Sequence, residues 1–206
     1  MKKNVDPKIQ ILDSAMEEFS QLGLAGGRVD RIAKRAGVNK AMLYYYFHSK
    51  EGLFKEVLRS HFSQLIPLVV AEIREPVTPQ TFLERIPRLY IGFFRKNPRL
   101  IRLVALNLAT DPKVVSTLFS SLLNEVTPEH LARSISNKIA LWSSQGLLRQ
   151  NDPMQIMINI LSLCTFFFLA KPMVEVAFDR TIPECDEFYE KRIESVVSLL
   201  KGGLLP

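Results

Sequence analysis

The residues with most to offer a ligand crowd into one short stretch, NKAMLYYYFHSK at positions 39 to 50. Lys40 can donate to guanine O6 or N7, while Ala41 and Met42 can touch a thymine methyl. Tyr45 follows Ala41 by one helical turn, within reach of a base edge or a phosphate. The hydroxyls of Tyr44 and Tyr46 suit the sugar-phosphate backbone, where a hydrogen bond sets register without carrying sequence information. Lys50 opens a further helix, whose free N–H groups and dipole favour a phosphate. Arg28, after Gly26-Gly27, offers a guanidinium for the same use. Three consecutive tyrosines fan through about 200° at roughly 100° per residue, so they cannot share one buried side. Tyr46 can instead pack against the first helix, and double-stranded DNA is the first partner to consider.

These side chains need a scaffold, and the apolar pattern supplies one. Leu43 and Phe47 lie four apart on one face, with Val38 entering just before them, so this helix has an inner side distinct from its lysine and tyrosines. Asn39 stands where an N-cap is expected. A helix is predicted over about 29 to 36, then a turn carrying Gly37, then a second helix over about 40 to 47. That outline is a helix-turn-helix. Ahead of it, Asp6-Pro7 reads as a cap and first helical residue, Ile9, Leu12, Ala15, Met16 and Phe19 form a 3.6-residue stripe, and Gly23 is expected to end the helix.

On Ile32-Ala33, Ala36-Gly37-Val38, Leu43-Tyr44, Phe47 and Ser49-Lys50-Glu51, preceded by the helix ending in Phe19 and Gly23, the chain resembles the TetR-type, tetracycline-repressor-like bacterial transcriptional regulators. The resemblance runs from Ile11 to Leu58. It implies that Lys40, Ala41, Met42 and Tyr45 read bases and that Tyr44 and Lys50 grip phosphate. Where the family usually begins its second helix with Thr or Ser, this chain has Arg28.

The resemblance also implies an all-α protein in which a three-helix DNA-binding domain, residues 1–50, precedes a larger helical effector-binding and dimerisation domain, residues 51–206, with about nine helices in all. A fourth helix is predicted from Ser49 to about Ile73, kinked at Pro67. Further starts are marked by Thr78-Pro79, Pro98, Asp111-Pro112, Thr127-Pro128 and Pro153, and the break at 75–79 is the clearest. A final helix is expected over 184 to 201, with a frayed tail from Gly202. No strand-period segment occurs.

At 206 residues and 47% hydrophobic content the chain can bury a substantial core. Its net charge of +6 is uneven: residues 1–61 hold eleven Lys/Arg against seven Asp/Glu, the rest sixteen against fourteen. The basic end coincides with the helix-turn-helix. Cys164 and Cys185 have no C-x-x-C spacing and no histidine cluster nearby, so no zinc site, disulfide framework or cofactor is expected, and a reducing cytoplasm fits. The lysines of the N-terminus precede no apolar core of a secretory signal. The apolar run Ile156 to Ala170, at about fifteen residues, is shorter than the ~20 a bilayer span needs, so no membrane partner is expected. No hydrolase, zincin, P-loop or dinucleotide motif is present, and His48, His61 and His130 are scattered, so no enzyme is expected.

Large apolar residues from different helices, Phe62, Phe93, Leu103, Leu106 and Trp142, with Asn107 as a polar handle, could enclose a small hydrophobic or aromatic effector. Ordinary core packing is the alternative for each. Between Ile156 and Phe168 both sides of the helix are apolar, more than one core requires. With the final helix this predicts a homodimer interface drawn from Ile156, Ile160, Leu163, Phe167, Phe188, Val196 and Leu200. Two-fold symmetry would then set two recognition helices on a pseudo-palindromic operator. The expected function is a homodimeric repressor released by its ligand; an all-helical enzyme or carrier with a basic interaction face is the alternative.

Overall fold

The computed structural model describes residues 6–74, 77–126 and 131–206. Ten α-helices and no strand occur among them: α1 Pro7–Gly26, α2 Val29–Ala36, α3 Lys40–Phe47, α4 Lys50–Arg74, α5 Pro79–Lys96, α6 Pro98–Thr110, α7 Pro112–Val126, α8 Leu131–Ser144, α9 Pro153–Ala177 and α10 Asp186–Leu204. Where about nine were expected, ten are found. The residues thought to open α8, Thr127 and Pro128, and those of the break at Glu75-Pro76 lie outside the described residues, as does His130.

Helix starts follow capping chemistry. The side chains of Asp6, Asn39, Thr78 and Asp152 each accept a backbone N–H from the first turn of α1, α3, α5 and α9, satisfying donors that a helix leaves orphaned. Proline occupies the first turn of α1, α5 and α9, where its missing N–H costs nothing. Inside helices the same residue is tolerated three times: α4 runs through Pro67, α5 through Pro87 and α9 through Pro172.

Three expectations change. Gly23 does not end α1 but breaks it: its φ of 67° and ψ of −179° interrupt the helix, which resumes to Gly26. The apolar helix α9 extends past residue 170 to 25 residues, so by length and composition alone it could cross a membrane. The tail is also more ordered than expected. Helix α10 continues through Gly202 and Gly203 to Leu204, which is buried and whose carbonyl accepts the Arg149 N–H at 2.8 Å.

The chain forms two compact units, Met1–Gln64 with Pro98–Leu122, and Leu65–Asn97 with Leu123–Pro206. In the first, α6 packs along α1, and α2 on α1. Phe19, Phe54, Ile11, Ile32, Leu43, Leu53 and Leu103 are all essentially inaccessible, each stabilising by about 1.5–3 kcal/mol relative to exposure. The Gly23 break is patched by Asn107 of α6, whose amide oxygen accepts the Leu24 N–H at 3.1 Å while its amide nitrogen donates to Leu103 O at 2.7 Å. In the second unit α5 packs on α9 and α10. Arg95 covers the Tyr189 ring at 4.5 Å and pairs with Asp186 at 2.5 Å, Tyr189 donates to Glu184, and Lys171 pairs with Glu184. Burial, with that hydrogen bond, pushes the Tyr189 phenol up to about 12.

Candidate nucleic-acid interface

The geometry of α2 and α3 begins at the turn between them. Gly37 caps α2 at φ 68°, a left-handed conformation that costs a residue without Cβ little, and the Val38 N–H closes on Ala33 O at 3.1 Å. Asn39 accepts the Met42 N–H at 2.7 Å and starts α3. Leu43 and Phe47 are buried, so the helix is held by one side only. Lys40 and Ala41 are exposed, Tyr45 is 77% and Tyr44 40% exposed, and Met42 and Tyr46 are half-buried. The Tyr46 ring meets Tyr45 edge-on at 5.4 Å and Phe47 at 6.1 Å, so it joins the inner and outer faces.

A residue that sequence reasoning missed organises the start of α2. Arg28 is the cap residue and offers no side-chain bond to the helix. Its own N–H instead donates to Glu18 of α1 at 3.2 Å. That carboxylate is nearly inaccessible and has Arg31 at 3.8 Å and Arg35 at 3.7 Å. A carboxylate beside a helix N-terminus satisfies the dipole from outside the helix. Glu18 stands beside Phe19 of the apolar stripe, and only its charge within a buried register could have signalled it. The Arg28 guanidinium is left exposed, with no ion pair among the described residues.

The junction from α3 to α4 is tighter still. His48 has φ 63° and ψ −41°, and the Ser49 N–H donates to Phe47 O at 2.7 Å, a strained γ-turn. The Ser49 hydroxyl accepts the Gly52 N–H at 2.9 Å and so caps α4. A Cβ on Gly52 would lie 2.2 Å from the same Phe47 carbonyl oxygen, and one on Gly27 would lie 2.5 Å from the Phe19 ring. Both glycines are therefore dictated by space. Lys50 reaches back to Ala25 O at 3.3 Å and Gly27 O at 3.4 Å, tying α4 to the end of α1.

Lys40 has a partner too: its ammonium lies 2.9 Å from the Asp30 carboxylate of α2, and this hydrogen bond raises it above the ordinary lysine range. The edge thus carries Arg28, Lys40, Tyr44 and Tyr45 exposed, Tyr46 and Lys50 half-buried, and Asp30 paired with Lys40.

The other expected sites are distributed differently. Phe62, Leu103, Leu106 and Asn107 belong to the first unit, Phe93 and Trp142 to the second. Phe62 meets Phe119 at 5.5 Å, and Trp142 meets Phe82 at 5.5 Å. Asn107, thought of as a ligand handle, has both ends of its amide engaged by backbone. Of the expected dimer residues, Ile156, Ile160, Val196 and Leu200 are buried within their own unit. Leu163, Phe167 and Phe188 instead line an open groove of about 1100 Å³ between α9 and α10, which also holds Phe166, Phe178 and Arg192. None of the six expected effector residues lines it. The outer face of α9 presents Met154, Ile158, Leu161, Leu169, Met173 and Val176, all exposed.

Comparison with known proteins agrees with the edge. Residues 11–57 match the family model described as bacterial regulatory proteins, tetR family. The chain is 30% identical over 205 residues to the HTH-type transcriptional regulator RutR of Escherichia coli K12, covering 97% of this chain and 91% of that one. Its fold is similar to that of SCO4942 from Streptomyces coelicolor (TM-score 0.72, 23% identity, 96% and 97% of the two chains). It is also similar to FadR from Bacillus subtilis, solved with stearoyl-CoA (TM-score 0.68, 19% identity, 95% and 98%).

Proposed function

The chain belongs to the tetR family of bacterial regulatory proteins and is a DNA-binding transcriptional regulator; from that premise we propose that it is a homodimeric repressor of a pseudo-palindromic operator, released by a small hydrophobic or aromatic ligand. The observation that carries the DNA-contact reading is the one-sided seating of α3. With Leu43 and Phe47 inside, Lys40, Ala41 and Met42 are left on the side away from the core to read bases and Tyr45 to touch a base edge or phosphate. Tyr44, Tyr46, Arg28 and Lys50 set register on the backbone. Lys50 does so while its ammonium still shares the α1 carbonyls, which keeps the phosphate contact fixed relative to α3.

The second recognition helix comes from a second subunit. Support for that is the outer face of α9, whose exposed apolar side chains run the length of the helix, as a surface that meets a partner does. Two subunits joined there would present two α3 helices to half-sites about 34–36 Å apart. Effector release is supported by the B. subtilis FadR structure with its stearoyl-CoA, with Phe93 and Trp142 of the second unit as candidate contacts. Helix α4 belongs to both units, and effector binding shifts the population of its conformers so that the α3 helices no longer match the half-sites. A bacterial regulator that binds DNA works in the cytoplasm.

An operator selected from random duplexes tests this. Lys40→Ala and Tyr44→Ala are expected to weaken its binding about tenfold or more each; unaltered affinity in both would remove α3 from the interface.

A further inference from the structure

Helices α2 and α3 contain sixteen residues and one carboxylate, Asp30. A negative charge on an edge that meets phosphates needs a reason. Asp30 is not a buried structural acid, since its side chain is 76% exposed, and its partner Lys40 is 50% exposed. It sits in the first turn of α2, at the positive end of the helix dipole. Its carboxylate lies 2.9 Å from the one ammonium at the start of α3.

We propose that Asp30 is a specificity-determining residue that keeps Lys40 from binding DNA non-specifically. This rests on the reading of Lys40 as a base contact. While Lys40 is paired, its charge is cancelled toward the phosphates of any duplex, so no counterion is released on its account. In the non-specific mode Lys40 meets phosphate rather than a guanine edge, and the paired state persists. A guanine at the matching operator position offers O6 and N7 together, two directed acceptors that draw the ammonium off the carboxylate. An exposed ion pair is weak enough to open in this way. Asp30 thus lowers affinity for all DNA but lowers it most where no guanine answers, which raises the ratio of specific to non-specific binding.

The test measures the salt dependence of binding to the selected operator and to a scrambled duplex, for the wild type, Asp30→Asn, Asp30→Glu, Lys40→Ala and the double variant. In Asp30→Asn the slope of log affinity against log salt on the scrambled duplex steepens by about 0.9, and affinity there rises about five- to tenfold at low salt. Operator affinity changes by less than about threefold, so the specificity ratio falls. Asp30→Glu restores the wild-type slope, and with Lys40→Ala in place Asp30→Asn leaves it unchanged. A purely helix-stabilising carboxylate would alter the melting temperature but not this slope. The proposal is overturned if Asp30→Asn leaves the slope unaltered, or steepens it equally with Lys40→Ala present. Should Lys40→Ala alone leave operator binding unaltered, the base-contact reading fails instead, which separates the two.

Discussion

At the turn joining α3 to α4 nearly every atom is spoken for, whereas on the outer face of α9 almost none is. The Phe47 carbonyl accepts the Ser49 N–H, the Ser49 hydroxyl accepts the Gly52 N–H, and the absent Cβ of Gly52 leaves room that no other residue would leave. On α9, Met173 and Val176 are 73% and 83% exposed and touch little. The first region determines its residues by exclusion, and the second by what will later cover it. That contrast makes one region readable from a single chain and the other incomplete without a partner.

The hardest blow to the contrast is Gly52→Ala. The added Cβ meets a backbone oxygen at 2.2 Å, and backbone at a γ-turn has little freedom to yield. The expected loss is about 3 kcal/mol from the first unit, at the upper end for overpacking, with accelerated hydrogen exchange confined to α3 and the first turn of α4. Exchange unchanged there would mean the turn is far looser than its contacts imply.

Much of this was legible in the sequence because local chemistry enforced it. Asp6, Asn39 and Thr78 were readable as caps since a short polar side chain at the start of a helical pattern has one good use, and α2 and α3 run over the expected residues. What was missed needed knowledge of depth or of the far side. Glu18 reads as a solvent residue until α2 is laid across it. Asp30 belongs to a pair ten residues apart that only the turn at Gly37 brings together. On α9 the sequence shows apolar residues all round, so which side faced inward was open, and Ile156 and Ile160 proved to be core. The apolar run stops at Ala170, whereas the helix carries Pro172 and continues to Ala177.

The second blow falls on the open region. Met173→Glu adds a charge at an exposed site, where the folded subunit is indifferent to within about 0.5 kcal/mol. If two subunits meet on this face, that charge is buried unpaired and the dimer dissociation constant rises about 100-fold, equivalent to ~2.7 kcal/mol. Sedimentation of wild type and variant over a dilution series reads it directly. Equal self-association in the two would leave the face of α9 without its proposed partner.

Glu18→Gln tests whether the closed region owes its geometry to charge as well as to space. The amide keeps the shape and can still accept the Arg28 N–H, but it no longer answers Arg31 and Arg35. Because both guanidinium partners are about half exposed, the loss is expected at about 1–2 kcal/mol rather than the larger cost of a fully buried pair. Operator affinity falls with it, as Arg31 and Arg35 of α2 lose the carboxylate that ties them to α1. A stable variant with full operator affinity would show that packing by Phe19 and Ile32 alone positions α2.

The smallest effect carries the contrast to its limit, because the same substitution is expected to change sign. Gly92 lies within α5, and a Cβ built on it has nothing within 4 Å. With no contact to violate, only intrinsic preference is left, and alanine in a helix interior is favoured over glycine by about 0.8–1.0 kcal/mol. Gly92→Ala is therefore expected to stabilise the second unit by about 0.5–1 kcal/mol, a rise of some 2–4 °C in Tm for a chain of this size. The measurement is made at low protein concentration, where any dimer is dissociated, and again at high concentration. A gain at both leaves the space beside Gly92 open to solvent in the working protein. A gain that turns into a loss as concentration rises would mean that a second subunit fills that space, and the partner surface would then extend from α9 onto α5.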